Sequence, residues 1–298
     1  MRVRELTPGQ EIDQVLMVRS AEPRKLVLGD RTGTLEAAPR PDVAPGLCVR
    51  VSGRVEGRGR LVVDALRVAE PDEYALEDLM DGPRIPVDRM EADLRELLAT
   101  IQCGHLRALL DAVFGPATET WALFREAPAA KRYHQAYRHG LLEHSLTVAL
   151  SVSAISATFG GVDRDVAVTG ALLHDIGKLD AYTADPLAID LTDAGKLQGE
   201  IPLGYYRIRR ALEDLPGFPA RTAAAVLHII LSHHGALEHG SPVLPCTREA
   251  TLVHMIDNLG GRLGSFDRLE KELPDGSAWS QYDRVLSGAA WFSERRAA

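Results

Sequence analysis

The sequence predicts two domains of different class, an N-terminal all-β barrel and a mainly α-helical bundle that follows it. Short β-branched runs separated by glycine and proline turns fill roughly the first 70 positions. An acidic stretch with prolines at both ends follows, and beyond it leucine and isoleucine recur at helical spacing. We therefore expect a barrel at residues 1–70, a linker at 71–90 and a helical domain at 91–298.

Five short strands are predicted in the first domain, at residues 15–18, 25–28, 34–37, 48–53 and 61–65. Five strands in a domain of about 70 residues resemble an OB-fold, a small barrel whose faces often bind single-stranded nucleic acid. Residues 1–70 contain no Phe, Trp or Tyr, although aromatic stacking is the usual source of single-strand affinity in such barrels. Phosphate contacts would then fall to arginines, and solvated surface positions are the equal alternative for these residues. The candidates are Arg50, Arg54, Arg58 and Arg60.

Composition limits the class of protein. Of 298 residues, 45% are apolar and 26% charged, as in ordinary soluble proteins. No apolar run reaches the roughly 18 to 20 residues of a membrane span, and the first ten residues are charged where a signal peptide is apolar. Three widely spaced cysteines without C-x-x-C spacing indicate reduced thiols. We expect a cytoplasmic protein with no membrane partner.

Charge is unevenly distributed along the chain. Residues 1–70 carry 12 Lys and Arg against 10 Asp and Glu, so the rest carries 22 against 32 of the chain's 34 and 42. An acidic body binds nucleic acid poorly without a specific site, but it suits a concentration of carboxylate ligands for cations.

The most informative stretch is residues 170–179, which read G-A-L-L-H-D-I-G-K-L. Adjacent residues in mid-helix point about 100° apart, so His174 and Asp175 can share a ligand only at a helix end, where Gly177 releases the backbone. Imidazole and carboxylate together are typical ligands of Mn, Fe, Zn or Ni. A capped helix end is the alternative interpretation of the pair alone.

Three further elements strengthen the metal interpretation. His144 lies on the apolar face of a helix that begins at Gly140, and a later helix ends in His233 and His234. Asp257 interrupts the apolar face of another helix, where an unpaired carboxylate costs several kcal/mol. Ligand-type residues on four successive helices predict a common metal centre. His228 points away from the His233 pair and is interpreted as core or supporting.

These motifs, H-S-x-x-V-A at His144 and L-L-H-D-I-G-K at residues 172–178, resemble the HD-domain metal-dependent phosphohydrolases. The chain is similar in particular to the YhaM-type 3′-to-5′ exoribonucleases, which join an OB-fold to an HD domain. The segments that carry this closer resemblance are residues 127–130, His134, 140–145, 230–235 and 240–242.

The resemblance implies two divalent ions, with Mn the expected metal and Mg, Fe, Co or Ni the alternatives. The first ion would be held by His144, His174, Asp175 and Asp257. Asp175 would bridge to a second ion, held also by His233 and His234. Lys178 would face the phosphate, and Asp175 and Lys178 are the expected catalytic residues.

Two departures from the family pattern bear on the site. Relatives with a second ion generally have His where Glu200 stands, and Glu is a harder ligand that suits Mn or Mg. The other departure lies at residues 135–139, where His is expected at Gln135 and Gly at His139. Arg138 or His139 could therefore reach substrate, and a solvated turn is the alternative.

The expected activity is metal-dependent hydrolysis of single-stranded RNA, or of DNA, from its 3′ end, with the barrel holding the strand. One alternative is a phosphohydrolase or phosphodiesterase of nucleotides or cyclic nucleotides. The other is a nucleic-acid-binding regulatory module with weak catalysis. The sequence leaves the oligomeric state open, a homo-oligomer included.

Overall fold

A computed structural model describes residues 1–40, 42–57, 59–131, 135–183, 185, 189–273 and 276–293. Arg58 and His134, which the sequence analysis singled out, lie outside these residues. The chain divides into two compact units. The first unit contains residues 1–82, 268–282 and the segment from 289, and the second contains residues 83–267 and 283–288.

The first unit is built on five strands, as the sequence predicts. They are β1 (Glu11–Glu22), β2 (Lys25–Asp30), β3 (Gly33–Ala37), β4 (Cys48–Glu56) and β5 (Arg60–Val68). Their order β1-β2-β3-β5-β4, with β1 also paired to β4, is the ring expected of an OB-type domain. The ring closes through a short parallel contact, in which Glu36 and Ala37 of β3 pair with Arg60 and Leu61 of β5.

Alternation along these strands builds a small apolar core. Leu16, Leu26 and Val49 point inward and are fully buried, whereas Val15, Lys25 and Arg50 beside them are only partly buried. The acidic stretch after β5, expected as linker, contains a short helix α1 (Leu76–Leu79). The Arg19 guanidinium donates to the carbonyl of Leu79 at 2.6 Å, so this stretch packs on the strands.

The second unit is helical, which confirms the predicted class. Its helices are α2 (Val87–Ala99), α3 (Gly104–Phe114), α4 (Glu119–Glu126), α5 (Gly140–Ser156), α6 (Arg164–Leu173), α7 (Lys178–Ala181), α8 (Asp193–Gln198), α9 (Glu200–Glu213), α10 (Ala220–Ser232) and most of α11 (Arg248–Glu272). Their apolar faces form one continuous core. Within the described ranges, no helix combines the length and apolarity that crossing a bilayer requires.

A short hairpin near the C-terminus was not predicted. Its strands are β6 (Trp279–Asp283) and β7 (Gly288–Trp291). Sequence patterning fails here because three large aromatic side chains are exposed instead of buried. They are Trp279, Tyr282 and Trp291, exposed by 58%, 69% and 56%.

Close packing of α6 brings the helix ends together. At Gly170 of α6, an added Cβ would come within 2.3 Å of the Ile229 side chain on α10. Glycine therefore lets the two helices approach, and α6 also packs along α5. The C-terminal ends of α6 and α10 and the start of α5 meet where the sequence placed its histidines.

Candidate metal centre

The His-Asp pair lies at a helix end, as expected. Helix α6 ends at Leu173, and His174 is its C-cap. In the turn that follows, an added Cβ on Gly177 would lie 2.0 Å from the carbonyl oxygen of Glu200. Only glycine fits at this position, and its absent side chain allows the first residue of α9 to approach the turn. The close contact places the Glu200 carboxylate beside Asp175.

One group of ligand-type side chains, the first cluster, consists of His144, His174 and Asp257. The Nε2 atoms of His144 and His174 lie 3.1 Å apart. Asp257 Oδ1 lies 3.2 Å from His144 Nε2 and 3.8 Å from His174 Nε2. The three donors come from α5, the end of α6 and α11, so the fold gathers residues that are far apart in sequence.

The second cluster consists of Glu200, His233 and His234. His234 Nε2 lies 3.3 Å from Glu200 Oε1, and the rings of His233 and His234 meet edge to face. His233 is the C-cap of α10, so this pair repeats the helix-end arrangement of the first cluster. Glu200 therefore stands among the ligand-type residues, at the position where a histidine was expected.

Asp175 lies between the two clusters. Its Oδ2 atom is 3.2 Å from His144 Nε2 and 3.5 Å from His174 Nε2. Its Oδ1 atom is 3.5 Å from His233 Nε2. One carboxylate thus turns one oxygen to each cluster, and only 3% of its side chain is exposed.

The four imidazoles share an orientation. Each places Nδ1 against an acceptor and turns Nε2 inward. The Nδ1 partners are the carbonyl of Ala171 for His174, that of Ile230 for His233, that of His239 for His234 and Oε1 of Gln135 for His144. A hydrogen-bonded Nδ1–H fixes the tautomer and leaves the Nε2 lone pair free to bind a cation.

Two observations test whether these residues suit a divalent ion. His233 Nε2 is buried and has no hydrogen-bond partner among the described residues, although an unsatisfied buried nitrogen is costly. The donor set is imidazole and carboxylate, which suits Mn, Fe, Zn or Ni. The residues present therefore fit a divalent cation at each cluster.

Lys178 supplies a permanent positive charge beside the centre. Its ammonium lies 2.8 Å from Asp175 Oδ2 and donates to the carbonyl of Ala129 at 2.8 Å. Burial alone would lower the pKa of Lys178, but Asp175 and Glu200 outweigh it and raise that pKa above its usual value. Burial alone would raise the pKa of Asp175, but the Lys178 ammonium outweighs burial and holds this pKa well below its usual range. The pair is ionised across the physiological range.

In the metal-free protein the two histidines of the first cluster have opposite protonation. Burial lowers the pKa of His174 to about 4, so its Nε2 is an unprotonated acceptor at neutral pH. Burial also disfavours the charged form of His144, but hydrogen bonds to Asp175 and Asp257 outweigh it and raise its pKa to about 9. A proton on His144 therefore competes with a cation for the same imidazole nitrogen.

The predicted substrate contacts outside the clusters are engaged elsewhere. Arg138 forms an ion pair with Glu126, and His139 Nδ1 contacts the carbonyl of Arg125 at 2.6 Å. Both contacts tie the start of α5 to α4. No described contact joins either side chain to the clusters, so their role toward substrate stays a prediction.

On the barrel, two of the predicted arginines form ion pairs with acids. Arg50 lies 2.8 Å from Asp13 and 3.1 Å from Glu73. Arg54 lies 2.8 Å from Glu11. Exposed ion pairs of this kind contribute about 0–1 kcal/mol. A phosphate must therefore compete with carboxylates at these positions, but displacing them costs little free energy.

Three residues that support the histidines or lie near them are hard to identify from the sequence. Gln135 was noted only as a departure from the family pattern, and it contacts His144. His254 belongs to no motif in the sequence, and its Nδ1 contacts the carbonyl of His233 at 2.7 Å, which helps hold that ligand. His228 accepts a hydrogen bond from the backbone of Cys246 at 3.0 Å, consistent with a supporting role.

Comparison with known proteins agrees with this geometry. Residues 141–261 match the HD domain family. The 3′-5′ exoribonuclease YhaM of Bacillus subtilis is 29% identical over 287 residues, which cover 89% of this chain and 90% of that protein. YhaM of Geobacillus sp. is 28% identical over 287 residues, which cover 89% of this chain and 87% of that protein.

Among solved structures, the telomere capping protein Ten1 from Saccharomyces pombe aligns with 32% of this chain and 89% of its own, at 20% identity. Its TM-score of 0.20 is too low to support an inference. The match to the HD model covers the helices that carry both clusters, whereas the YhaM similarity extends over nearly the whole chain. Residues 141–261 are thus similar to an HD domain, and the similarity to the YhaM exoribonucleases extends over 89% of the chain.

Proposed function

We propose that this protein is a metal-dependent 3′-to-5′ exoribonuclease that hydrolyses phosphodiester bonds of single-stranded RNA. The observation that carries the proposal is Asp175, a buried carboxylate that turns one oxygen to each of two clusters of imidazole and carboxylate donors. The similarity to exoribonucleases over about nine-tenths of the chain supports the substrate class.

In this proposal each cluster holds one divalent ion. The first would be held by His144, His174, Asp175 and Asp257, and the second by Asp175, Glu200, His233 and His234. Such ions supply Lewis-acid polarisation of the phosphate and lower the pKa of coordinated water. The second set combines two carboxylates, Asp175 and Glu200, with two imidazoles at one helix end, and this mixture of hard and borderline ligands favours Mn.

The remaining chemistry belongs to side chains of the chain. Lys178 stays protonated, and 13% of its side chain is exposed, so its ammonium can neutralise a phosphate oxygen at the edge of the clusters. Asp175 holds that ammonium in place. Burial of His174 and His233, each 1% exposed, excludes bulk water and strengthens the electrostatic interactions of the centre.

The first unit is proposed to hold the strand. Arg50 and Arg54 are paired with acids, and the five strands carry no aromatic residue. The exposed Trp279 and Trp291, which belong to the same unit, offer faces on which bases can stack. This arrangement predicts binding of single strands with little sequence preference. The contribution of base stacking to the affinity should depend little on salt concentration.

The test is hydrolysis of a 5′-labelled single-stranded RNA by the full chain with Mn²⁺ and after chelation. We expect a ladder that shortens from the 3′ end, loss of activity in EDTA and protection by a blocked 3′ hydroxyl. The control variant is Arg209→Ala, which removes an exposed ion pair with Glu213 on α9. Hydrolysis of mononucleotides or cyclic nucleotides without RNA shortening would refute the proposal and favour the small-nucleotide activity.

A further inference from the structure

One ligand-type histidine differs from the others in how its outer nitrogen is held. The Nδ1 atoms of His174, His233 and His234 contact main-chain carbonyls, which no substitution at the partner position removes. His144 Nδ1 instead contacts a side-chain oxygen, Oε1 of Gln135, at 3.1 Å. The orientation of His144 therefore depends in part on a side chain, which a substitution at position 135 can remove.

The difference follows from position in the helices. His174 and His233 are C-caps, where the carbonyls three residues earlier are not needed by the helix and accept the imidazole N–H. His144 is the fifth residue of α5, and in a helix interior the preceding carbonyls accept backbone N–H groups. Its Nδ1 partner must come from outside the helix.

Gln135 is fixed where it can serve as that partner. Its φ of 61° is in the left-handed region, which is uncommon for a residue other than glycine. Its carbonyl accepts from the backbone N–H of Ala129 at 3.1 Å. A Cβ on Gly140 would lie 2.1 Å from the same carbonyl, so the start of α5 packs directly on this residue.

We propose that Gln135 is a positioning residue that holds His144 with Nδ1 protonated and Nε2 directed to the first cluster, and so sets the affinity of that cluster for a divalent ion. The inference rests on the proposed metal centre and not on the substrate. An amide can present an oxygen or an NH₂ group to Nδ1. Only the oxygen leaves Nε2 free as a ligand, and Oε1 is the atom that contacts His144 Nδ1.

The test is the affinity of the full-length, metal-free protein for Mn²⁺, measured by titration calorimetry. Gln135→Met keeps the length of the side chain but removes the acceptor, and we expect affinity to fall by about 10- to 100-fold. Gln135→Glu keeps an acceptor and is expected to retain affinity. The matched control is Tyr137→Phe, a substitution in the same loop as Gln135 that removes the contact of the Tyr137 hydroxyl with Glu143 of α5.

Three outcomes would overturn the proposal. They are an affinity of Gln135→Met within twofold of the wild type, an equal loss in Gln135→Glu, and an equal loss in Tyr137→Phe. The last two would indicate a general disturbance of the loop. Failure of the wild type to shorten RNA would refute the proposed substrate, whereas the affinity ratios alone decide the role of Gln135.

Discussion

Metal binding to the first cluster should release a proton, and this prediction can be worked from the structure. In the metal-free protein the pKa of His144 is about 9, because hydrogen bonds to Asp175 and Asp257 outweigh burial. A cation needs the neutral imidazole. Binding at neutral pH must therefore expel the His144 proton, while His174, with a pKa of about 4, has none to give.

The magnitude follows from the His144 pKa of about 9. At pH 7.5 its imidazole is about 97% protonated, so one ion should release close to one proton, and at pH 9.0 about half a proton. The same shift has a consequence for stability. The proton on His144 stabilises the metal-free fold fully below about pH 6.5, and this contribution is lost as pH rises through about 9.

The assay is calorimetric titration of Mn²⁺ in two buffers of different ionisation enthalpy, in which the slope gives protons released per ion. The pKa of His234 is also raised, because Glu200 outweighs burial, so the titration uses His234→Ala to remove that source. Release of fewer than about 0.3 proton at pH 7.5, or no fall by pH 9.0, would refute the reasoning.

Three other predictions follow from the contacts. Asp175→Asn leaves the Lys178 ammonium buried without its partner and should lower the free energy of unfolding by about 3–5 kcal/mol, as measured with urea; combination with Lys178→Met should recover most of that loss. Glu200→His should shift the preference of hydrolysis from Mn toward softer ions such as Zn, and identical metal profiles would exclude Glu200 as a ligand. Trp279→Ala should weaken binding of single-stranded RNA by about 1–3 kcal/mol with an unchanged salt slope, and a changed slope would argue against stacking.

Much of the fold was predictable because its signals are local. Alternation and turn residues identified all five barrel strands, and apolar spacing identified α5, α6, α10 and the start of α11. The C-terminal hairpin escaped, since exposed Trp279 and Trp291 break the rule that large aromatic residues are buried. The expected linker also gave no signal of its contact with the barrel, because that contact depends on Arg19, which is distant in sequence.

The candidate site also combines features with a local sequence signal and features that depend on distant residues. Its histidines illustrate both. His174 and His233 follow apolar helices, and the Nδ1–H of each donates to the carbonyl three residues before it. The local sequence therefore contains both the ligand and its hydrogen-bond partner. His144 lies inside a helix that has no carbonyl to spare, and its partner comes from a loop with left-handed backbone. Helical periodicity can place His144 on a face, but it cannot identify Gln135. A histidine ligand in mid-helix therefore requires a tertiary partner, and that partner is where the affinity of such a centre can be altered without changing any ligand.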